Sequence, residues 1–174
     1  SLYRTNDDRL TIQDILQKMS NNSVQFSPVT QTNFGFTNEI FWLYFSIQAD
    51  SHIAANSVIE LQYPLIDSVN YYAVSEDHII HSSHIDNSVH FSMRPMKSSS
   101  PLFLFSTQPG ETYEIFIKLK TRGTMRFPLF LWRTEDFLGQ RSRRNLFYGL
   151  YFGFLIVLFV IYLLIFIFQR RPLY

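Results

Sequence analysis

Alternation of apolar and polar side chains organises most of the chain. Phe41, Leu43, Phe45 and Ile47 fall on one side of an extended segment, and Trp42, Tyr44, Ser46 and Gln48 on the other. That period of two marks a strand with an apolar core face and an amphipathic outer face. The same period returns where Tyr113, Ile115, Ile117 and Leu119 alternate with Glu114, Phe116, Lys118 and Lys120. Shorter strands are predicted at 58–63, closed by Pro64, at 69–74, at 89–93, at 102–105 and at 125–132, the last carrying Pro128 at an edge or bulge. Between them lie a polar loop at 50–56, a polar hairpin or loop at 76–87, a Ser-rich turn at 97–101, and turns at 108–111 and 122–124. Ahead of the strands, Leu10, Ile12, Ile15, Leu16 and Met19 recur near helical spacing, with Thr11 and Asp14 placed as a capping box. A short helix over 8–19 is therefore expected. About seven short strands with little helix predict a mostly β fold, a β-sandwich or jelly roll.

The pattern changes completely at residue 146. From there to residue 168 the chain reads LFYGLYFGFLIVLFVIYLLIFIF, 23 residues without a charge. At 1.5 Å per residue such a helix spans roughly 34 Å, enough for a hydrocarbon core of about 30 Å. Phe147, Tyr148 and Tyr151 stand where an interfacial aromatic belt would lie, and Gln169, Arg170, Arg171 and Pro172 stop the run. Gly149 and Gly153 form a G-x-x-x-G pair, a spacing that lets another helix approach closely. The chain is thus divided into a β-rich body at 1–137, a juxtamembrane linker at 138–145, a transmembrane helix at 146–168 and the start of a following segment at 169–174.

Composition sharpens this division. The body up to residue 140 holds all 14 acidic residues but only 10 of the 15 Lys and Arg, for a net charge of −4. The remaining Arg141, Arg143, Arg144, Arg170 and Arg171 flank the apolar run. A net-negative body offers no cationic surface for phosphate backbones, which argues against nucleic-acid binding, and the flanking arginines suit lipid headgroups. With arginines on both sides of the run, charge counting leaves its orientation open. The absence of cysteine excludes disulfides, thiolate metal sites and cysteine nucleophiles. Arg4, Asp7, Asp8 and Arg9 interrupt the first ten residues, so no signal peptide is read there.

Candidate chemistry is sparse. His78, His81 and His84, with Asp77 and Asp86, raise the idea of a metal site, but the spacing matches no standard zinc pattern and no metal is expected. Ser98, Ser99 and Ser100 have no local His partner and precede Pro101, as in a turn. No nucleophile–base pair, Gly-rich phosphate loop or carboxylate dyad stands out. Neither catalysis nor a cofactor is expected.

Taken in order, LTIQDILQ, NFGFTNEIFWLYFSIQ, LQYPLIDSVNYYAV, MRP with a later LFLF, ETYEIFIKLKTRGTMRFPLFLW and the helix start NLFYGLYFGFL resemble a known arrangement. It is that of the type-2 extracellular sensor domain of bacterial seven-transmembrane receptors with diverse intracellular signalling modules (7TMR-DISM), followed by the first of their helices. The resemblance implies a jelly-roll sandwich like that of carbohydrate-binding modules, lying in the periplasm and anchored in the bacterial inner membrane with its N-terminus outside.

Such a domain is expected to bind a small molecule, with a glycan fragment as the implied class. Sugar recognition needs aromatic faces for the apolar side of a pyranose and polar groups for its hydroxyls. Trp42 and Tyr44, opposite the core aliphatics, are the stacking candidates, unless a second sheet covers them. Arg94 and Arg122 fall at matching family segments and could clamp a carboxylate or hydroxyl pair. Structural pairing of these arginines with Asp67 or Glu60 is the alternative. Asp67 is a further candidate, with turn capping as its other reading. Trp132 reads as a packing or interface anchor. The competing function is a protein–protein module that contacts a partner receptor through the sandwich edge.

Overall fold

The computed structural model describes residues 1–49, 56–76, 78–86, 98 and 100–169. The strand expected at 89–93, the loop at 50–56 up to its last residue, Asp77, Arg94, Arg170, Arg171 and Pro172 lie outside them. The described chain divides into two units, Ser1–Thr134 and Glu135–Tyr174.

The first unit is built from strands β1 (Leu2–Thr5), β2 (Asn33–Phe36), β3 (Ile40–Gln48), β4 (Asn56–Leu61), β5 (Ser68–Ser75), β6 (His78–Asp86), β7 (Leu102–Ser106), β8 (Thr112–Lys120), β9 (Thr124–Arg126) and β10 (Leu129–Arg133), with one helix, α1 (Ile12–Ser20). They form a five-stranded sheet in the order β1-β3-β8-β5-β6, a three-stranded sheet β10-β4-β7 and a two-stranded pair β2-β9. Every pairing is antiparallel. The main core lies between the two larger sheets. Phe41, Leu43, Tyr71, Ile115 and Ile117 from one face Ile59, Leu61, Phe103 and Phe105 from the other, with Tyr71 and Phe103 stacked at 4.8 Å. A mostly β body is what the alternation predicts.

A second apolar cluster occupies the opposite side of the five-stranded sheet. Here α1 lays Ile12 and Ile15 on Trp42, Val74 and Phe116, joined by Leu10 and Ile40. The helix begins as expected: Thr11 accepts from the Asp14 N–H, and the Asp14 carboxylate accepts from the Thr11 N–H at 2.8 Å. Lys118 fastens the preceding loop, donating to the carbonyls of Asp8 at 2.7 Å and Leu10 at 3.0 Å. Its ammonium lies 5.6 Å from the Trp42 ring centre.

Two expectations change. The polar stretch at 76–87 is largely strand, because β6 pairs with β5 along its length as the outer arm of a hairpin. The single strand expected at 125–132 is two. Pro128 has no N–H for a ladder, and the chain changes sheets there, β9 pairing with β2 and β10 with β4. β10 also carries Trp132, whose Nε1–H donates to the nearly buried Glu60 carboxylate at 3.0 Å. Trp132→Phe removes that donor from a carboxylate largely cut off from water. It should cost about 1–3 kcal/mol in urea unfolding of the full chain, and an unchanged midpoint would refute the role.

Helix α2 (Thr134–Gln169) starts directly after β10 in sequence, and from Glu135 onward it forms the described part of the second unit. Residues 138–145, expected as a linker, are helical. The helix is long and apolar enough to cross a membrane. From Leu146 to Phe168 its large side chains are exposed almost without exception, as a lipid-facing surface requires.

Candidate functional site

A cleft of about 1340 Å³ opens at one end of the sandwich. It is lined where β4 and β8 begin (Ser57, Thr112, Tyr113, Glu114), where β7 ends (Phe105, Ser106), by the β7–β8 turn (Gln108, Gly110, Glu111) and by the β5–β6 turn (Ser75, Glu76, His78). His81 and Thr134 complete the named part of the wall. Gly110 has φ +87°, a left-handed conformation that the turn requires and glycine adopts freely. Glu76 reaches φ 48° without that freedom.

The two histidines share this wall because of a bulge. Ala73 pairs with His81 and Val74 with Ile79, so Ile80 is an extra residue in β6. The insertion converts a spacing of three, which would split His78 and His81 across the sheet, into a shared face. His84 lies elsewhere, with Nδ1 2.6 Å from Asn70 Oδ1 and Nε2 3.9 Å from Asp86 Oδ2. Among the described residues no three His, Asp or Glu side chains are grouped to hold a metal.

Two glutamates of the cleft lining are held by phenols, Glu111 on the core side of β8 and Glu114 on its α1 side. The Tyr113 hydroxyl donates to Glu111 Oε2 and accepts the Gln108 N–H at 2.8 Å. The Tyr44 hydroxyl donates to Glu114 Oε1 at 2.9 Å. Burial, and then the bond to Glu114, pushes the Tyr44 phenol up to about 12. Burial and the Glu111 carboxylate raise that of Tyr113 as well. Both phenols therefore stay protonated donors at neutral pH, and each leaves its carboxylate one oxygen for other partners.

The residues singled out from sequence do not converge. Trp42 has no accessible surface, its ring stacked on Tyr72 at 6.2 Å and roofed by α1. The cover is a helix, not a second sheet, and it leaves the indole no face for a sugar. Tyr44 is half-buried on the same side and touches the cleft only through Glu114. Asp67 and Arg122 do meet, but through the backbone: Asp67 Oδ2 accepts the Arg122 N–H at 2.7 Å. This pair sits where β5 begins and just past the end of β8, about 25 Å along the strands from the cleft at 3.3 Å per residue. Arg94 lies outside the described residues.

The cleft residues gave little signal in the sequence. Glu76, His78, Glu111 and Thr134 occupy polar turns and strand ends, and a bulge leaves no mark in a stretch without alternation. The His-x-x-His spacing was visible, but its common face was not.

A two-sheet β body with a cleft at one end is followed in sequence by a helix long and apolar enough to cross a membrane. The family model described as 7TMR-DISM extracellular 2 matches residues 1–133. The chain belongs to this family. Residues 1–133 are accordingly the extracellular sensor domain of a membrane receptor, and with α2 the chain is a membrane protein with an outward domain. No curated protein sequence matches the chain.

Proposed function

We propose that this chain is the periplasmic ligand-sensing domain of a bacterial inner-membrane signalling receptor, taking a small polar molecule in the end cleft and passing its occupancy into α2. One observation carries the reading: the cleft wall runs from both sheets to Thr134, the first residue of α2. A ligand on that wall lies against Thr134, the last residue of the first unit and the one that leads in sequence into the membrane helix. The hydroxyls of Ser57, Ser75, Ser106, Thr112 and Thr134 suit a glycan fragment, the class the resemblance implies. In this reading the chain is not an enzyme and needs no cofactor. Membrane lipid surrounds α2, and Gly149 and Gly153, where an added Cβ would meet nothing within 4 Å, give a second helix room to pack in a receptor dimer.

The full chain in lipid nanodiscs, screened against periplasmic small molecules and glycan fragments, should gain thermal stability with at least one of them. Thr134→Trp, which fills the wall, should abolish the gain while leaving the unliganded melting temperature within a few degrees. A ligand whose effect survives Thr134→Trp would place sensing elsewhere. Phe36 and Leu65, 86% and 68% exposed at the Asp67–Arg122 end, favour a second reading, in which that end contacts a partner receptor. A crosslinked partner lost in Phe36→Ser, without any small-molecule effect, would select it.

A further inference from the structure

We propose that Ser57 decides what the end cleft binds: its hydroxyl, at the cleft floor, takes an uncharged hydroxyl group at one end of the bound molecule. The inference rests on the reading that the cleft is the sensing site, and adds which residue selects the ligand and by what group. Three of the lining residues are buried, Ser57, Phe105 and Tyr113, and the others are half-buried or exposed. These three adjoin one another. Ser57 and Phe105 are cross-strand partners in β4 and β7, and the Phe105 and Tyr113 rings meet edge to face at 6.4 Å. A floor of three side chains admits one end of a guest, not its length.

Buried polar residues normally have hydrogen-bond partners. Among the described residues four are polar and buried, and three of them follow that rule: Glu60 accepts from Trp132, Thr121 accepts the Gly123 N–H, and Thr107 also has a partner. Ser57, 1% exposed, makes no side-chain hydrogen bond among the described residues. Its oxygen is not sealed in the core either. The unpartnered polar atoms shut off from the surface are Trp42 Nε1 and the Tyr71 hydroxyl, and neither residue lines the cleft. The next residues along this face of β4 are Ile59 and Leu61, and a β-branched side chain at 57 would suit strand and core better than serine. The Tyr113 hydroxyl beside it is engaged twice, with Glu111 and the Gln108 N–H. Ser57 is therefore the free polar group of the floor. It offers one donor and two acceptor positions, which another hydroxyl complements. A carboxylate or ammonium brought there would exchange its hydration for a single hydroxyl, which disfavours it.

The chain has no cysteine, so Ser57→Cys places a single thiol at the floor of the full chain in zwitterionic nanodiscs. Methanethiolsulfonates carrying a hydroxyethyl, a sulfonatoethyl or a trimethylammonioethyl group probe it, each rate being taken relative to that reagent's rate with glutathione. The folded protein should react with the hydroxyethyl reagent at least tenfold faster than with either charged one. A thiol that reacts only after unfolding in urea closes the floor, and equal rates for neutral and charged reagents remove the selection. Either result overturns the assignment. Calorimetry with glycerol, glucose and maltotriose should then show at least one of them binding. Ser57→Ala, melting within a few degrees of the wild type, should weaken that probe about three- to tenfold, the worth of one hydrogen bond. Binding of glycerol or glucose identifies a free polyol or sugar as the source, and of maltotriose alone the end of a glycan chain. If a probe binds equally well to Ser57→Ala but is lost in Thr134→Trp, the serine assignment fails while cleft sensing stands; if it survives both, both fail. If none of the three binds, the assignment falls too, and cleft sensing is decided by the Thr134→Trp experiment.

Discussion

Trp42→Ala should destabilise the sensor domain by about 3–5 kcal/mol, the usual cost of emptying a buried aromatic site, and should affect any ligand only through the fold. Trp42 is fully enclosed between the five-stranded sheet and α1, against Tyr72, Phe116 and the stem of Lys118. Removing the indole leaves a cavity under the helix that nine residues of α1 cannot close without moving. Among the described residues the indole N–H has no hydrogen-bond partner, a desolvation cost of about 1–3 kcal/mol that apolar burial offsets. Trp42→Phe sheds that unsatisfied donor along with part of the ring, so it should cost far less than alanine. Urea unfolding of the full chain in nanodiscs reads both. A Trp42→Ala protein with wild-type stability and selectively lost ligand affinity would return the indole to the surface and refute the packing described above.

Ending the chain at Thr134 should move the protein from the membrane pellet to the soluble fraction and leave a folded β body. The apolar run holds eighteen Leu, Ile, Phe and Val residues. At 0.3–0.6 kcal/mol each they favour insertion by roughly 5–11 kcal/mol, a partition strongly toward the bilayer. The truncated unit keeps both apolar clusters and every strand pairing, since none draws on residues beyond 133. Fractionation with alkaline extraction measures the partition, and circular dichroism the fold. A shortened protein that still pellets, in folded form, would mean that the β body itself binds membranes.

Regular alternation made the long central strands legible: β3 and β8 follow from their apolar periodicity to within a residue. The same rule fails for β6, whose sequence HIIHSSHID has little apolar face because the strand is mostly exposed. β1 and β2 were too short to show a period. Trp42 is more instructive. The outer face of β3 carries a tryptophan and a tyrosine, open to a ligand or covered by a second sheet as far as the sequence goes, and the amphipathic helix at 8–19 carries an apolar stripe. Two unmatched apolar faces in one small domain are each other's natural partners, and Ile12 and Ile15 on Trp42 and Phe116 are that match. The candidate site was the least legible part. It is assembled from turns and strand ends by sheet order and one bulge, and neither leaves a periodic trace.

In sequence, α2 follows β10 with no residue between them. Twelve helical residues, about 18 Å of stalk at 1.5 Å each, precede the apolar run that begins at Leu146. A helix advances about 100° per residue, so the number of residues between Arg133 and Leu146 fixes the azimuth at which Gly149 and Gly153 leave the stalk. Adding or removing one stalk residue therefore turns that glycine pair by about 100° relative to the first turn of α2.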